Sequence, residues 1–336
     1  MATETVLLTG ATGFVGFRVL ELLLDQGHHV RLAVRSEAKL ATLKAALTKL
    51  NYDISHITHT IVPDMLAPDA FEDAIKSITY IIHVASPLPT VSDDPEANIV
   101  KPAVAMATGM LETILRSPEH SVKKLVMTSS VIAVYPSEPG KFDADNIIPD
   151  PEGPFSDPWM AYAAAKQLSL SATRKIIAEK KPNFDVINIM PSFVVGPNHL
   201  VDTRKEYVEG SNAVALAPLL GINLPGGRPA AACHVDDVAA VHVAALQPSI
   251  VGHRNYGVTF NGDNGPISWD SAIDIVKEQL PEAIGSHCFP LEGSVASTSH
   301  DRLFDVLKAT AELGIDFKSF ETMVVDLARA YIAAEA

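Results

Sequence analysis

The first half of the chain alternates between short apolar, β-branched runs and longer stretches in which apolar residues recur every three to four positions. Thr5–Thr9, Val30–Val34, Ile57–Val62, Tyr80–Val84 and Leu125–Ser129 read as strands, and Asp185–Met190 reads as a sixth. Between them, Phe14–Gln26, Glu37–Leu50, Phe71–Ile75, Pro95–Leu115 and Tyr162–Lys180 carry helical periodicity. Strands separated by helices require right-handed crossovers, which predicts an α/β fold with a Rossmann-type doubly wound parallel sheet. After Pro191 the pattern breaks. Pro197, Pro218, Pro225, Gly226, Gly227 and Pro229 cut it into short pieces, and clear periodicity returns only over Trp269–Gln279 and Phe320–Ala333. The expected organisation is a nucleotide-binding domain over residues 1–190 and a smaller α/β substrate-binding lobe over 191–336. A segment near 230–260, including His234–Val241, is expected to return to the first domain.

Composition narrows the class. Of 336 residues, 47% are hydrophobic and 20% charged, as in a globular protein. The 26 basic and 40 acidic residues leave a net charge of −14, which argues against nucleic acid or an anionic membrane as partner. Cys233 and Cys288 make no disulfide framework and read as small buried residues of a reducing compartment. The first strand starts within a few residues of Met1, and no apolar run is long enough to span a bilayer. A cytoplasmic location is expected.

Candidate chemistry begins with Thr9-Gly10-Ala11-Thr12-Gly13-Phe14-Val15-Gly16, directly behind Val6-Leu7-Leu8. Gly10 suits a sharp turn, Gly13 a close approach to a pyrophosphate, and Gly16 tight packing of helix on strand, with the helix N-terminus presenting N–H groups to the anion. Gly10, Thr12, Gly13, Phe14, Val15 and Gly16 are therefore assigned to a dinucleotide. A second anchor is Tyr162-Ala163-Ala164-Ala165-Lys166, where a four-residue spacing projects phenol and ammonium from one helical face. Ser129 and Ser130 end the fifth strand, where ligands of open α/β sheets bind. An ordinary phenol, with a pKa of about 10, is a reluctant proton carrier near neutrality, and a neighbouring ammonium lowers that pKa. Tyr162 is assigned as proton donor, Lys166 as the group that lowers its pKa and holds the nicotinamide ribose, and a serine hydroxyl at this strand end as the group that polarises the carbonyl. Ser129 is read as a strand-end structural residue.

The end of the second strand decides between cofactors. An acidic residue there binds a ribose 2′-hydroxyl, whereas Arg35, with Lys39 beyond Ser36, suits the 2′-phosphate of NADP(H), although Glu37 weakens the local positive field. Asp64 is a candidate for the adenine amine or, equally, a helix cap, with Met65 beside it. Val84, Ala85 and Ser86 allow backbone approach to ribose and pyrophosphate. Thr128 and the strand-end run Pro191-Ser192-Phe193-Val194 are assigned to the nicotinamide side. His56 and His59, and His234 and His242, lack partners at ligand spacing, so no metal is expected. Asp236 and Asp237 read as a structural hydrogen-bonding pair.

With these residues in place, the sequence resembles the extended short-chain dehydrogenase/reductase superfamily, in particular its dihydroflavonol-4-reductase-like branch. It is most similar to fungal and yeast aldehyde, ketone and methylglyoxal reductases. The matching segments are Thr9–Gly16, Ala33–Ser36, His83–Pro87, Val126–Ser130, Tyr162–Lys166, Pro191–Pro197, His234–Ala239 and Phe304–Gly314, nearly the whole length. The resemblance implies NADPH-dependent reduction of a carbonyl to an alcohol, and by alignment with the superfamily's catalytic serine it makes Ser130 the hydroxyl that polarises the carbonyl. Two departures stand out. Ala105-Met106-Ala107-Thr108 replaces a Glu-Gly-Thr-like turn, and Ala230 occupies the position where sugar-nucleotide epimerases carry an arginine, leaving Arg228, Arg204 and Lys205 as nearby cations. Leu88, Val131, Ile132, Phe155, Trp159, Phe193, Tyr207, Leu216 and Leu219 are candidates either for an apolar substrate pocket or for ordinary core. An aldehyde or ketone with an apolar or aromatic body is expected. The alternatives are a sugar-nucleotide epimerase or dehydratase and a non-catalytic NAD(P) sensor.

Overall fold

A computed structural model describes residues 4–86, 93–155, 157–260, 267–284, 288–298 and 302–335. Strands β1 (Thr5–Thr9), β2 (His29–Val34), β3 (Ile57–Ile61), β4 (Tyr80–His83), β5 (Lys124–Thr128), β6 (Asp185–Pro191) and β7 (Arg254–Val258) form one sheet in the order β3-β2-β1-β4-β5-β6-β7. The pairings are parallel. β7 runs alongside β6 in the same sense: the Gly252 N–H bonds Asp185, the Val186 N–H bonds His253, and the Ser192 N–H bonds the Val258 carbonyl. From β1 the chain moves outward through β2 and β3, then restarts on the other side of β1 with β4. That reversal opens a crevice at the carboxyl ends of β1 and β4. In β1, Val6, Leu7 and Leu8 are fully buried, as expected for a strand covered on both faces.

The crossovers are α1 (Phe14–Asp25), α2 (Glu37–Lys49), α3 (Lys101–Arg116) and α4 (Pro158–Lys180). In α1, Phe17, Leu20 and Leu23 recur at intervals of three and are buried, which is the period that marks the segment as helical. α4 opens with a cap: Asp157 accepts from the N–H groups of Trp159 and Met160, and Pro158 occupies the first turn. Two expectations change. Phe71–Ile75 is not a helix but the middle of successive turns, with one helical hydrogen bond from the Ile75 N–H to the Phe71 carbonyl. Its apolar residues at i, i+3 and i+4 are buried there as a single turn. Pro95–Leu115 divides into a π-helical turn, Glu96–Val100, and α3.

Strand β7 is absent from the sequence reading. Two polar attachments hold this part of the chain to the sheet. Asn188 donates to Asn255, which donates to Asp145. The buried Lys124 ammonium donates to the carbonyls of Ala245, Gln247 and Ile250, just beyond α5 (Val235–Ala244). It thereby supplies positive charge and donors to carbonyls at a helix C-terminus.

The chain forms two compact units. One comprises Met1–Tyr135, Ala144–Met190 and Ala239–Tyr256, and the other Pro136–Asp143, Pro191–Val238 and Gly257–Ala336. The second has its own core around Trp269, Phe320, Met323, Leu327 and Tyr331, built on α6 (Ser271–Gln279) and α7 (Phe320–Ala333). Tyr207, Leu216 and Leu219 are buried in that core, and Phe155 is buried with Ile99, Val100 and Ala161 in the first unit. These four candidates for a substrate wall are therefore core residues. Leu88 lies outside the described residues. No helix among the described residues is long and apolar enough to cross a membrane.

Candidate active site

The glycine turn divides its labour. Gly10 has φ of +76°, and a Cβ there would lie 2.6 Å from the Ala85 nitrogen. A Cβ on Gly16 would lie 2.1 Å from the Gly10 carbonyl oxygen. Both positions exclude a side chain because the chain packs on itself. At Gly13 a Cβ would meet only the Gly10 oxygen, at 3.5 Å, an ordinary contact, so the space beyond it is open. Gly13 is also the N-cap of α1, whose first turn has no side-chain cap and no acidic residue. An open glycine edge and an unneutralised helix N-terminus fit a dinucleotide pyrophosphate.

Thr9 fixes the floor of the turn. Its hydroxyl accepts from the Ala85 N–H at 3.1 Å and lies 2.9 Å from His83 Nδ1. The bond between the Thr9 hydroxyl and Nδ1 can run either way, according to the imidazole tautomer. Burial pushes the imidazole down to about 4, so it is neutral near pH 7. The ends of β1 and β4 are thus tied together behind the glycines.

At the end of β2, Arg35 and Lys39 are exposed and Ser36 caps α2 through the Lys39 N–H. The Glu37 carboxylate is 3.6 Å from His59 Nε2, so a residue considered as a metal ligand instead faces this acid. Asp64 is exposed, and its Oδ1 accepts from the Leu66 N–H in an Asx turn; turns rather than a helix follow, so the helix-cap alternative does not hold. Met65 is buried in the first unit's core, leaving its backbone as the part able to meet a cofactor.

Along α4, residues 162 and 166 share a face, and both side chains turn inward. Lys166 is buried, donates from Nζ to Ser86 Oγ at 3.1 Å, and lies 5.8 Å from the Tyr162 ring centre. Burial pushes the Lys166 ammonium down to about 8. Burial also pushes the Tyr162 phenol up, opposed by a hydrogen bond from Ser130. The expected lowering by Lys166 gives way to desolvation as the dominant cause, and the phenol holds its proton near neutrality. Ser130 caps the short turn Val131–Val134 and accepts from the Ile132 N–H at 3.3 Å. Ser129 does not join Tyr162; it lines the cavity beside Lys166.

That cavity holds residues the sequence reading missed. Ser169 and Thr173, three and seven residues beyond Lys166, and Asn188 line it together with His83, Ser86 and Thr128. Helical spacing from Lys166 was the available signal for the first two. The Thr128 hydroxyl, assigned to the cofactor, is 2.8 Å from His242 Nε2, so a side chain weighed as a ligand is its partner.

In the second unit, Ser192 donates to Thr259, Phe193 packs edge-on against Trp269, and Pro191 and Val194 are buried. His234 is buried, accepts from the Asp236 N–H, and faces Asp326 at 3.4 Å. Asp236 and Asp237 both bind Lys318, the structural role read for them. Of the three cations near Ala230 in sequence, Arg228 donates to the Pro225 and Gly227 carbonyls of its own turn, Arg204 donates to the Tyr331 and Ile332 carbonyls, and Lys205 is exposed. Cys233 is buried with its thiol pushed up to about 12, which makes it unreactive. Among the described residues, no group of three or more His, Cys, Asp or Glu is placed to hold a metal ion.

Residues 6–258 match the model of the NAD-dependent epimerase/dehydratase family. The chain belongs to that family. It is 35% identical over 345 aligned residues to the ketoreductase CTB6 of Cercospora nicotianae, covering 99% of this chain and 96% of the relative. It is 34% identical over 364 aligned residues to the NAD-dependent epimerase/dehydratase FUM13 of Gibberella moniliformis, covering 96% and 94%. Among solved structures, yeast methylglyoxal/isovaleraldehyde reductase Gre2 complexed with NADPH superposes with a TM-score of 0.81 at 23% identity over 98% of each chain. The expected fold and the resemblance to extended short-chain reductases both hold.

Proposed function

We propose that the protein reduces a ketone or aldehyde to the alcohol with NADPH. The observation that carries this reading is the half-buried, protonated Tyr162 phenol, hydrogen-bonded to Ser130, with the Lys166 ammonium on the same helical face. Gly10, Thr12, Gly13, Phe14, Val15 and Gly16 hold the pyrophosphate in this reading, and Val84, Ala85 and Ser86 form the opposite side of the crevice. Arg35 and Lys39 bind the 2′-phosphate. NADPH, when bound, supplies the hydride that forms the new C–H bond at the carbonyl carbon. Tyr162 gives its hydroxyl proton to the carbonyl oxygen as that oxygen gains charge. Ser130 donates a hydrogen bond to the same oxygen. Lys166 orients the ribose and stabilises the phenolate left on Tyr162 until it is reprotonated from solvent.

The ketoreductase name of one relative and the NADPH bound to the Gre2 structure support the reading. A sugar-nucleotide substrate needs cations for its diphosphate; of the three near Ala230 in sequence, Arg228 and Arg204 donate to backbone carbonyls and only Lys205 is left exposed. The test is the absorbance of reduced nicotinamide while the protein is offered a panel of ketones and aldehydes. Oxidation of NADPH with at least one carbonyl is expected. Tight nucleotide binding with no oxidation across the panel would favour the sensor.

A further inference from the structure

The proton donor has an aromatic neighbour. Trp159 and Tyr162 have ring centroids 5.7 Å apart and planes 30° from parallel. At 100° per residue, Trp159, Tyr162 and Lys166 fall within a 60° arc of α4, with Trp159 about 4.5 Å toward the N-terminus from Tyr162 and Lys166 about 6 Å toward the C-terminus. The Asp157 cap and Pro158 fix the first turn, so the indole is held on an ordered backbone. It remains 47% exposed, as does Met160, whereas the other tryptophan, Trp269, is fully buried.

Direction along this stripe distinguishes the two ends. On the Lys166 side, the side chains lead to Ser86 and the ends of β1 and β4, the part of the crevice assigned to the dinucleotide. With that end given to the dinucleotide, the end left for the body of a carbonyl whose oxygen meets Tyr162 is the one where Trp159 stands. The indole, tilted 30° from the phenol plane, offers a flat apolar face on which a planar π-system can stack with an offset. A saturated body of the same size cannot gain that stacking.

We propose that Trp159 is a specificity-determining residue that selects aryl ketones, the aromatic ring stacking on the indole while the carbonyl oxygen meets Tyr162. The inference rests on the carbonyl-reductase reading and adds its substrate class.

A matched pair tests it: acetophenone and cyclohexyl methyl ketone share carbon count and carbonyl position and differ in planarity. The wild type is expected to favour acetophenone in kcat/KM. In Trp159→Ala the ratio of the two kcat/KM values should fall about three- to tenfold, through KM, the range for one aromatic pair, and Trp159→Phe should restore most of it. Equal loss for both ketones, or an unchanged ratio, overturns the inference while leaving the reductase reading intact. If neither ketone is turned over, the reductase reading is in difficulty on its own, and fluorescence still decides the inference. With Trp269 buried, acetophenone should quench the Trp159 emission of the wild type and produce no matching change in Trp159→Phe. Absence of that difference overturns the stacking.

Discussion

Lys166 Nζ donates to Ser86 Oγ at 3.1 Å, joining the middle of α4 to the end of β4. The serine oxygen orders the ammonium, so in the proposed mechanism the lysine is restrained before any nucleotide arrives. A fixed donor of this kind contributes to binding without first losing its own rotamer freedom.

The depressed Lys166 pKa has opposite consequences for stability and for binding. An unfolded lysine keeps its proton to 10.5, whereas the folded one releases it at about 8. Between those values the unfolded chain binds more protons, so this group's contribution to stability rises with pH. Over the same window the charge that holds the ribose disappears, so affinity for NADPH falls. Urea midpoints and NADPH titrations at pH about 7 and about 9.5 should show both trends, and Lys166→Met should flatten both.

Tyr162→Phe removes the proton while keeping the ring. Turnover should fall by at least about 10²-fold, and the NADPH dissociation constant should stay within about threefold. Steady-state rates and a fluorescence titration check the two halves. An undiminished rate would remove the phenol from the mechanism.

The three glycines of the turn should respond differently to alanine. Gly10→Ala and Gly16→Ala place a Cβ 2.6 Å and 2.1 Å from backbone atoms and should lower the thermal midpoint strongly or prevent folding. Gly13→Ala should cost about 1 kcal/mol or less of stability, because its φ of −116° suits any residue. It should nonetheless weaken NADPH by at least about tenfold by filling the space reserved for the pyrophosphate. Thermal melts alongside nucleotide titrations separate the fold role from the binding role.

Arg35→Ala should weaken NADPH by at least about tenfold, the worth of one charge-assisted phosphate contact, and leave NADH nearly unchanged. Glu37→Gln should act in the opposite direction, tightening NADPH, because it removes a negative charge beside the 2′-phosphate position. Equal effects on the two nucleotides would sink the assignment of this corner to the phosphate.

Much of the nucleotide-binding architecture was legible because local rules and tertiary packing agree there. Strands β1, β2, β4, β5 and β6 are largely apolar or β-branched runs set between segments of helical periodicity, and Gly10 and Gly16 sit where any side chain would collide with backbone. The shared face of Tyr162 and Lys166 was legible from spacing, since a helix converts an interval of four into proximity, whereas their catalytic reading needed the glycine turn as well. β7 was not, because Arg254–Val258 is short, carries Gly257, and takes its place through Lys124 and Asn188, distant partners that leave no local pattern. The reading of Phe71–Ile75 failed for the reverse reason: one buried turn satisfies a helical period without a helix. Tyr207, Leu216 and Leu219 illustrate a third limit, since composition cannot distinguish an apolar pocket wall from a core. Trp159 is the aromatic candidate whose placement beside Tyr162 and exposure set it apart.

The late arrival of β7 has a consequence for how the chain can be made and divided. The strand that completes the sheet is synthesised only after residues 191–253, most of which belong to the other unit. During translation β6 waits as an open edge, and Lys124 waits for the carbonyls of Ala245, Gln247 and Ile250. A gene fragment ending at residue 190 would encode every glycine, tyrosine and lysine of the nucleotide crevice and still lack the closing strand. No single cut in the polypeptide separates the two units, so in inheritance as in folding they travel together.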